Sequence, residues 1–223
     1  MFPWQRFRSK CPLPAKAVPP GRTSYDISAD RLPLHTIQTS EAFDSVLSTG
    51  VLKPDSSLSE PLYADAYGWM ARQMAGMLDS TGDGALGFSA CISRRDLVDC
   101  CRRAEGKVLL ICNLPRERVQ LSRFVAWHSV LNSRPHVPDL PGESAEEYGA
   151  RLERVLDDFE DSVGSAGSRD SSIRHWLEDL RTDTERGWEH ILEPANNSRF
   201  EVWQATTHWL STEDVIEAVR LER

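Results

Sequence analysis

The sequence predicts an α+β fold in which a mixed, largely antiparallel sheet is flanked by helices. Short apolar or alternating segments typical of strands are interleaved with longer segments of helical spacing. No strand-like segment is followed by G-x-G-x-x-G or G-x-x-x-x-G-K-[ST], so neither a Rossmann nor a P-loop nucleotide site is supported. A doubly wound parallel sheet is therefore the less favoured architecture.

In the first half of the chain, strands and helices alternate. Residues 34–38 predict a strand, and the helix that follows ends at Gly50. A longer helix opens near residue 59 and carries an apolar stripe of Leu, Ala and Met side chains. Residues 86–92 predict another strand, after which Ser93 starts a short helix.

The second half of the chain continues this alternation. Residues 107–114 are apolar on both faces and predict a central strand. We expect Ser122 to cap the next helix, and a capping-box pattern of Ser144 and Glu147 predicts the helix after it. Residues 200–209 are rich in β-branched and aromatic side chains and predict a late strand.

The N-terminal segment differs in composition from the rest of the chain. Four prolines between residues 12 and 20 stand among basic residues, without helical or strand periodicity. We therefore interpret residues 1–31 as a Pro-rich flexible arm and residues 32–223 as a single α+β domain.

Charge and hydropathy exclude some classes of function. The net charge of −8 disfavours broad binding to nucleic-acid phosphates, which requires a basic face. No run of about 18 apolar residues occurs, so we expect no membrane span, and no secretory signal is recognised at the N-terminus.

Cysteine and histidine patterns favour neither disulfides nor a metal site. The five cysteines are odd in number and include no Cys-x-x-Cys pair, so we expect reduced thiols in a cytoplasmic protein. His175 and His190 lack a pattern such as His-Glu-x-x-His, and we predict no metal ligands.

Polar and aromatic side chains on the first strand and the second helix are candidates for a pocket. On the strand, Thr36 and Gln38 share one face and His35 lies on the other, and these positions either line a pocket or are solvated at a sheet edge. On the helix, Trp69 and a glutamine one turn later lie near Tyr67. This tryptophan either clamps a planar ligand or packs in the core.

Two later segments carry further candidates. His128 and Asn132 share one helix face, and Trp127 lies on another. Imidazole titrates near neutral pH, so His128 is a candidate general base, with a structural role as the alternative. On the late strand, Gln204 and Thr206 share a face that forms either a pocket wall or an exposed surface.

Six short motifs follow one another from residue 34 to the end of the chain. They are Thr36-Ile37-Gln38, Gly50-Val51-Leu52, Ala66-Tyr67-Gly68-Trp69-Met70 with Gln73-Met74, the segment 126–132, Trp188-Glu189-His190-Ile191 and Gln204-Ala205-Thr206. Their order resembles a bacterial family of short cytosolic proteins of unknown function. That resemblance implies no known activity.

The chain is also similar to ADP-ribosyltransferase folds, through His35 on the first strand, Gly50-Val51-Leu52 after its helix and Gln204-Ala205-Thr206 near the close. Thr206 stands where those enzymes carry a glutamate that orients the NAD ribose, and a threonine cannot supply that carboxylate. The resemblance implies NAD as cofactor. Combined with the pocket candidates above, it makes His128 and Gln204 the predicted catalytic residues. The predicted cofactor-binding residues are His35, Thr36, Gln38, Tyr67, Trp69, Trp127, Asn132 and Thr206.

Two functions follow as hypotheses. The first is an NAD-binding or ADP-ribosyltransferase-like protein that takes a nucleotide ligand and acts on a macromolecular acceptor. The alternative is a non-catalytic interaction module, antitoxin-like or a regulatory partner in the bacterial cytosol, motivated by the acidic balance and the N-terminal arm. A hydrolase or nucleotide-modifying enzyme of another type is a third hypothesis.

Overall fold

The computed structural model describes residues 26–54, 61–165, 172–192 and 202–221. Within these ranges, a six-stranded sheet and a two-stranded sheet pack with six α-helices, and all strand pairings are antiparallel. The predicted α+β class with a largely antiparallel sheet is confirmed. Residues 1–25 of the predicted arm lie outside the described residues, and Arg31 is already the first residue of a strand.

In chain order, the strands are β1 (Arg31–Gln38), β2 (Val51–Leu52), β3 (Leu86–Ser89), β4 (Val108–Pro115), β5 (Gln120–Arg123), β6 (Trp203–Thr207), β7 (Leu210–Ser211) and β8 (Val215–Arg220). The large sheet has the strand order β5-β6-β3-β1-β4-β8, and β2 pairs with β7. The helices are α1 (Ser40–Thr49), α2 (Ala64–Met77), α3 (Arg94–Arg102), α4 (Phe124–Leu131), α5 (Ala145–Ser165) and α6 (Glu178–Glu189).

Helix ends follow local signals in the sequence. Helix α1 ends at Gly50, whose φ of 79° is the left-handed conformation that glycine adopts without steric cost. Helix α3 starts after Ser93, which accepts a hydrogen bond from the Asp96 amide at 3.1 Å. Before α5, Ser144 and Glu147 form the predicted capping box.

The β4 strand is buried on both faces, as its continuous apolar sequence predicted. It lies between β1 and β8 and pairs along its whole length with β1. One sheet face packs against α1 through Phe43 and Val46, and the other face packs near β4 against Leu97 and Cys101 of α3. The strand order places β1 and β3 in the middle of the sheet, where the candidate site lies.

A second core lies among the helices, and we call it the helical layer. Its buried side chains come from α2, α4, α5, α6 and the short turns beside α6, and they are centred on Trp69 and Trp188. The rings of these two tryptophans meet edge to face, with centroids 5.5 Å apart. The helical layer is thus built around tryptophan pairs, whereas most of the sheet core is aliphatic apart from Phe43, Phe88 and Trp203.

Two predictions require correction: the cap of α4 and the length of the late strand. Ser122 does not cap α4: it lies inside β5 with its side chain fully buried, and α4 begins at Phe124. Ser122 pairs with Gln204 of β6, so sheet hydrogen bonding holds the backbone at the position where the helix cap was expected. The late strand is shorter than predicted, at Trp203–Thr207, and residues 200–201 lie outside the described residues.

A buried carboxylate links β1 to the chain segment that leads into β8. Asp214 precedes β8, its side chain is 4 % exposed, and it accepts from Arg31 at 3.2 Å and from Arg118 at 2.6 Å. The Arg118 guanidinium also lies 3.8 Å from the centre of the Trp209 ring. These contacts fix the start of β1 against the chain that leads into β8.

The cysteines of the described ranges are free thiols, as predicted. Cys91, Cys101 and Cys112 are buried, and Cys100 is half-buried on α3. Burial, together with the nearby Asp214 charge, raises the pKa of the Cys112 thiol far above its usual value, so this thiol is not reactive. Cys11 lies outside the described residues. Within the described ranges, no helix combines the length and the apolar content that crossing a membrane requires.

Candidate functional site

Four polar residues from four adjacent strands stand side by side across the sheet. His35 of β1 pairs with Ser89 of β3, Ser89 pairs with Gln204 of β6, and Gln204 pairs with Ser122 of β5. Directly paired residues place their side chains on the same face of a sheet. We call this set the polar row, and it runs along the face that α3 covers only in part.

A hollow of about 290 Å³ opens beside the polar row. Its floor includes His35, Ser89 and Gln204, and its walls come from Leu97 and Cys100 of α3 and from Phe124 of α4. We call it the sheet hollow. Apolar walls around a few convergent polar groups are typical of small-molecule sites.

Phe124 and a glycine shape the mouth and the floor of the sheet hollow. The Phe124 side chain is 43 % exposed, which is high for an aromatic residue at the start of a helix. Gly87 lies on β3 two residues before Ser89, and a Cβ atom there would meet open space. The floor beside Phe124 is therefore free of side-chain bulk at this position.

Three of the ten predicted site residues line the sheet hollow: His35, Thr36 and Gln204. The side chain of Thr36 is engaged within the sheet, since its Oγ1 donates to the Gly87 carbonyl at 2.9 Å. Thr206 is buried, and its hydroxyl donates to the Gln120 carbonyl at 3.4 Å. This hydroxyl therefore faces the sheet backbone rather than the sheet hollow.

Gln38 and Tyr67 line a different cavity. This cavity measures about 660 Å³ and lies beside α1, the end of β2 and the start of β3. The Gln38 amide donates to the Thr36 hydroxyl at 2.7 Å, which orients it along the sheet. The predicted single pocket is thus divided in the structure between two openings.

Trp69 and Trp127 lie in the helical layer. Trp69 is 1 % exposed and packs against Trp188, and Trp127 is buried with its ring 5.9 Å from that of Tyr67. Both rings are covered by protein, so the structure places them in the core, the alternative reading for Trp69, and not where a ligand could stack. Helix α2 is packed into the helical layer along this face, and sequence spacing alone does not distinguish such a face from a pocket wall.

His128 and Asn132 lie on the exposed side of α4. The His128 ring meets Phe124 edge to face with centroids 5.1 Å apart, so His128 stands one contact away from the sheet hollow. Asn132 does not line the sheet hollow, and its amide donates to the His128 carbonyl at 2.6 Å. It closes the C-terminal end of the helix.

The hydrogen bond of His128 determines its tautomer. Its Nδ1 lies 3.1 Å from the Phe124 carbonyl oxygen. A carbonyl only accepts, so Nδ1 carries the proton and Nε2 is left with a free lone pair in the neutral ring. His128 can therefore accept a proton or a hydrogen bond at the rim of the sheet hollow.

A second polar cluster surrounds His136, in the loop between α4 and α5. Burial, together with the charges of Arg123 and His190, lowers the pKa of His136 to about 4, while the charge of Asp139 opposes this shift. His136 is therefore neutral at physiological pH.

Within the described ranges, no three His, Cys, Asp or Glu side chains are close enough to hold a metal ion.

Sequence reasoning missed four residues of this region: Ser89, Cys100, Ser122 and Phe124. Ser89 lies on a predicted strand, but its alignment with His35 depends on strand pairing that no local pattern reports. Phe124 reads as an ordinary apolar residue at the start of a helix. Only its exposure beside the sheet hollow distinguishes it from a core residue.

Comparison with known proteins gives one match. The family model described as "Domain of unknown function (DUF3841)" matches residues 33–216 of the 223 residues, which includes the sheet hollow, the helical layer and the sheet except the first residues of β1 and most of β8. Searches of the curated proteins and of the solved structures found no match. Since the match covers most of the chain, this protein belongs to the DUF3841 family, a family of unknown function.

Proposed function

We propose that this protein binds a nucleotide-type small molecule in the sheet hollow, with NAD as the first candidate. The observation that carries the proposal is the polar row beneath an exposed aromatic ring. Gln204 is half-buried and offers an amide on the floor, with the buried His35 beside it, and Phe124 offers a ring at the mouth. A planar base or a nicotinamide ring could stack on an aromatic face and pair with an amide, and this site offers both.

The size of the sheet hollow limits what it holds. At about 290 Å³ it lies near the lower end of ligand cavities, which span roughly 300–1,000 Å³. It would enclose one planar head group, with the remainder of a dinucleotide outside. His128 stands beside Phe124 at the rim, where its Nε2 lone pair would face the part of the ligand that leaves the hollow.

Binding has more support than ADP-ribosyl transfer. No carboxylate lines the sheet hollow among the described residues, and Thr206 is buried against the backbone of β5. Cleavage of the ribose–nicotinamide bond develops positive charge that a carboxylate would stabilise. Transfer to a macromolecular acceptor therefore requires a group other than Thr206.

Cys100 provides a direct test of ligand binding. It lines the sheet hollow, and the other cysteines of the described ranges are buried, so its alkylation rate reports on access. Peptide-resolved mass spectrometry would follow Cys100 during iodoacetamide treatment with and without millimolar NAD. We expect NAD to slow the reaction by about tenfold, which corresponds to near-complete occupancy.

The matched variants are Gln204→Ala, which removes a floor residue, and Gln73→Ala, which changes a glutamine on α2 outside the hollow. Protection should be lost in the first variant and kept in the second. Equal alkylation rates with and without NAD, AMP and nicotinamide would refute the proposal.

Catalysis is tested separately by nicotinamide release from NAD, measured beside His128→Ala. Release that the variant lacks would extend the proposal from binding to enzymatic turnover. Protection of Cys100 without release would leave a binding protein.

One observation favours the interaction module as a second candidate. Phe124 and Val125 are adjacent and exposed, at 43 % and 74 %, and they form a small apolar patch at the start of α4. A protein partner that covers this patch would also close the sheet hollow. Loss of a co-purifying partner in Val125→Asp, with NAD protection of Cys100 unchanged, would support this candidate.

A further inference from the structure

A second cavity lies on the helical layer, away from the sheet hollow. It measures about 540 Å³ and is bounded by the start of α2, the turn Ile173–His175 and α6. It shares no lining residue with the sheet hollow. Three arginines line it, and we call it the arginine cavity: Arg72, Arg174 and Arg181.

Two of these arginines are held by carboxylates. Arg72 donates through Nη2 to Glu185 at 3.1 Å, and Arg174 donates through Nε to Asp65 at 2.8 Å. Both side chains are nevertheless 60 % exposed. A guanidinium has five N–H donors, so each arginine keeps several donors free after its ion pair is formed.

Asp65 acts as the anchor of Arg174. Burial would raise the pKa of the Asp65 carboxyl, but hydrogen bonds from Ser172 and Arg174, with the Arg174 charge, outweigh burial and hold this pKa below its usual value. The carboxylate is therefore ionised at neutral pH. Because it is 15 % exposed and already accepts from two side chains, it fixes the guanidinium rather than competing for a ligand.

Arg181 adds a positive charge that these carboxylates do not offset. It lies on α6 one turn before Glu185, and its side chain has no hydrogen-bond or ion-pair partner among the described residues, whereas Glu185 pairs with Arg72. The arginine cavity thus holds three guanidinium groups and two carboxylates. A net positive cavity in a chain of net charge −8 is a local exception to the overall charge.

We propose that the arginine cavity binds the phosphate group of a small phosphorylated molecule. A planar carboxylate is satisfied by a single guanidinium fork. A tetrahedral phosphate can accept from several donors that approach from different directions, which is what three arginines on two helices and a turn provide. Arg174 is preorganised by Asp65, and Arg181 supplies the charge that the anion neutralises. The proposal does not depend on the function of the sheet hollow.

Isothermal titration at constant ionic strength tests the proposal, with inorganic phosphate, pyrophosphate and AMP as probes and acetate as the planar comparison. We expect the phosphate-bearing probes to bind and acetate to show no measurable heat. Arg181→Gln should weaken phosphate binding by about tenfold, the range of one charge-assisted contact. AMP binding that is tighter than that of inorganic phosphate, weakened in Arg181→Gln and unchanged in Gln204→Ala, would identify a phosphate ester in the arginine cavity as the natural source.

The matched control is Arg95→Gln, which removes an exposed arginine of α3 and the same formal charge. This variant should bind phosphate as the wild type does. Equal weakening in both variants would mean that only overall charge is being measured, and it would overturn the proposal. Absence of binding by every phosphate probe, or equal binding of acetate, would overturn it as well. Circular dichroism of both variants establishes that they are folded.

Discussion

The sheet and the helical layer use similar residue types in opposite ways. On the sheet, Gln204 is half-buried at an open hollow because α3 covers only part of that face. In the helical layer, Trp69 and Trp127 are enclosed because neighbouring helices pack on α2 and α4 from several sides. A polar or aromatic side chain becomes available to a ligand where a layer is incomplete, and it becomes core where the layer is closed.

The sharpest way to break this comparison is to remove a tryptophan from the helical layer. Trp69→Ala should destabilise the protein by about 4 kcal/mol, because it leaves a large cavity beside Trp188. Urea unfolding followed by circular dichroism measures the change. Met77→Ala, on an exposed position of the same helix, should change stability by less than about 0.5 kcal/mol. If Trp69→Ala were fully stable and lost NAD binding, Trp69 would belong to a ligand site.

On the sheet side, the largest effect on stability should come from Asp214. Asp214→Asn leaves Arg31 and Arg118 without their buried counter-charge and should cost about 3 kcal/mol. Asp44→Asn is the matched control, because Asp44 is exposed and its contact with Arg220 is 3.6 Å long. That control should lose about 0.5 kcal/mol or less. Similar losses in the two variants would show that the contacts of Asp214 contribute little to stability.

A substitution of Phe124 tests whether the sheet hollow binds a ligand. Phe124→Ala should weaken ligand binding in the sheet hollow by about tenfold through loss of one aromatic contact. It should change the free energy of unfolding by less than about 1 kcal/mol, because the side chain is already 43 % exposed. Cys100 protection and urea unfolding give the two values.

Val125→Ala is the matched control for Phe124→Ala, since Val125 is the next residue and does not line the sheet hollow. Binding should be unchanged in this variant. An equal loss of binding in both variants would mean that the ligand or partner lies over the exposed surface of α4 rather than in the hollow.

Near neutral pH the smallest expected effect is that of His136, and this effect grows as the pH falls. Its folded-state pKa is lowered to about 4, mainly by burial, so the unfolded chain binds more protons between that value and the ordinary histidine range near 6.5. Stability from this residue is therefore present above about pH 6.5 and is lost as the pH falls toward 4.

Urea unfolding of the wild type and of His136→Gln at several pH values isolates this contribution. As the pH falls from neutral, the wild type should lose more unfolding free energy than the variant, because glutamine does not titrate. A difference that does not change with pH would mean that His136 is not held in its neutral form in the fold.

Among the site residues, sequence periodicity predicted the orientation of side chains better on strands than on helices. The alternation of β1 places His35 opposite to Thr36 and Gln38, and that of β6 places Gln204 opposite to Trp203 and Ala205. Helical spacing worked less well, because it groups residues by face without showing what covers that face. Trp69 and His128 were both candidates on helices, yet one lies in a closed core and the other is exposed beside the sheet hollow.

The sequence by itself determined the fold class and three of the helix ends, because hydrophobic period and capping act within a few residues. Gly50, Ser93 and the pair Ser144 and Glu147 bound their helices as the local pattern predicts. Only the tertiary structure decided which polar groups meet. The polar row depends on the register of four strands, and the three arginines of the arginine cavity come from α2, α6 and the turn before α6. Such contacts join residues far apart in the chain, and their free energy exists only once the layers have packed.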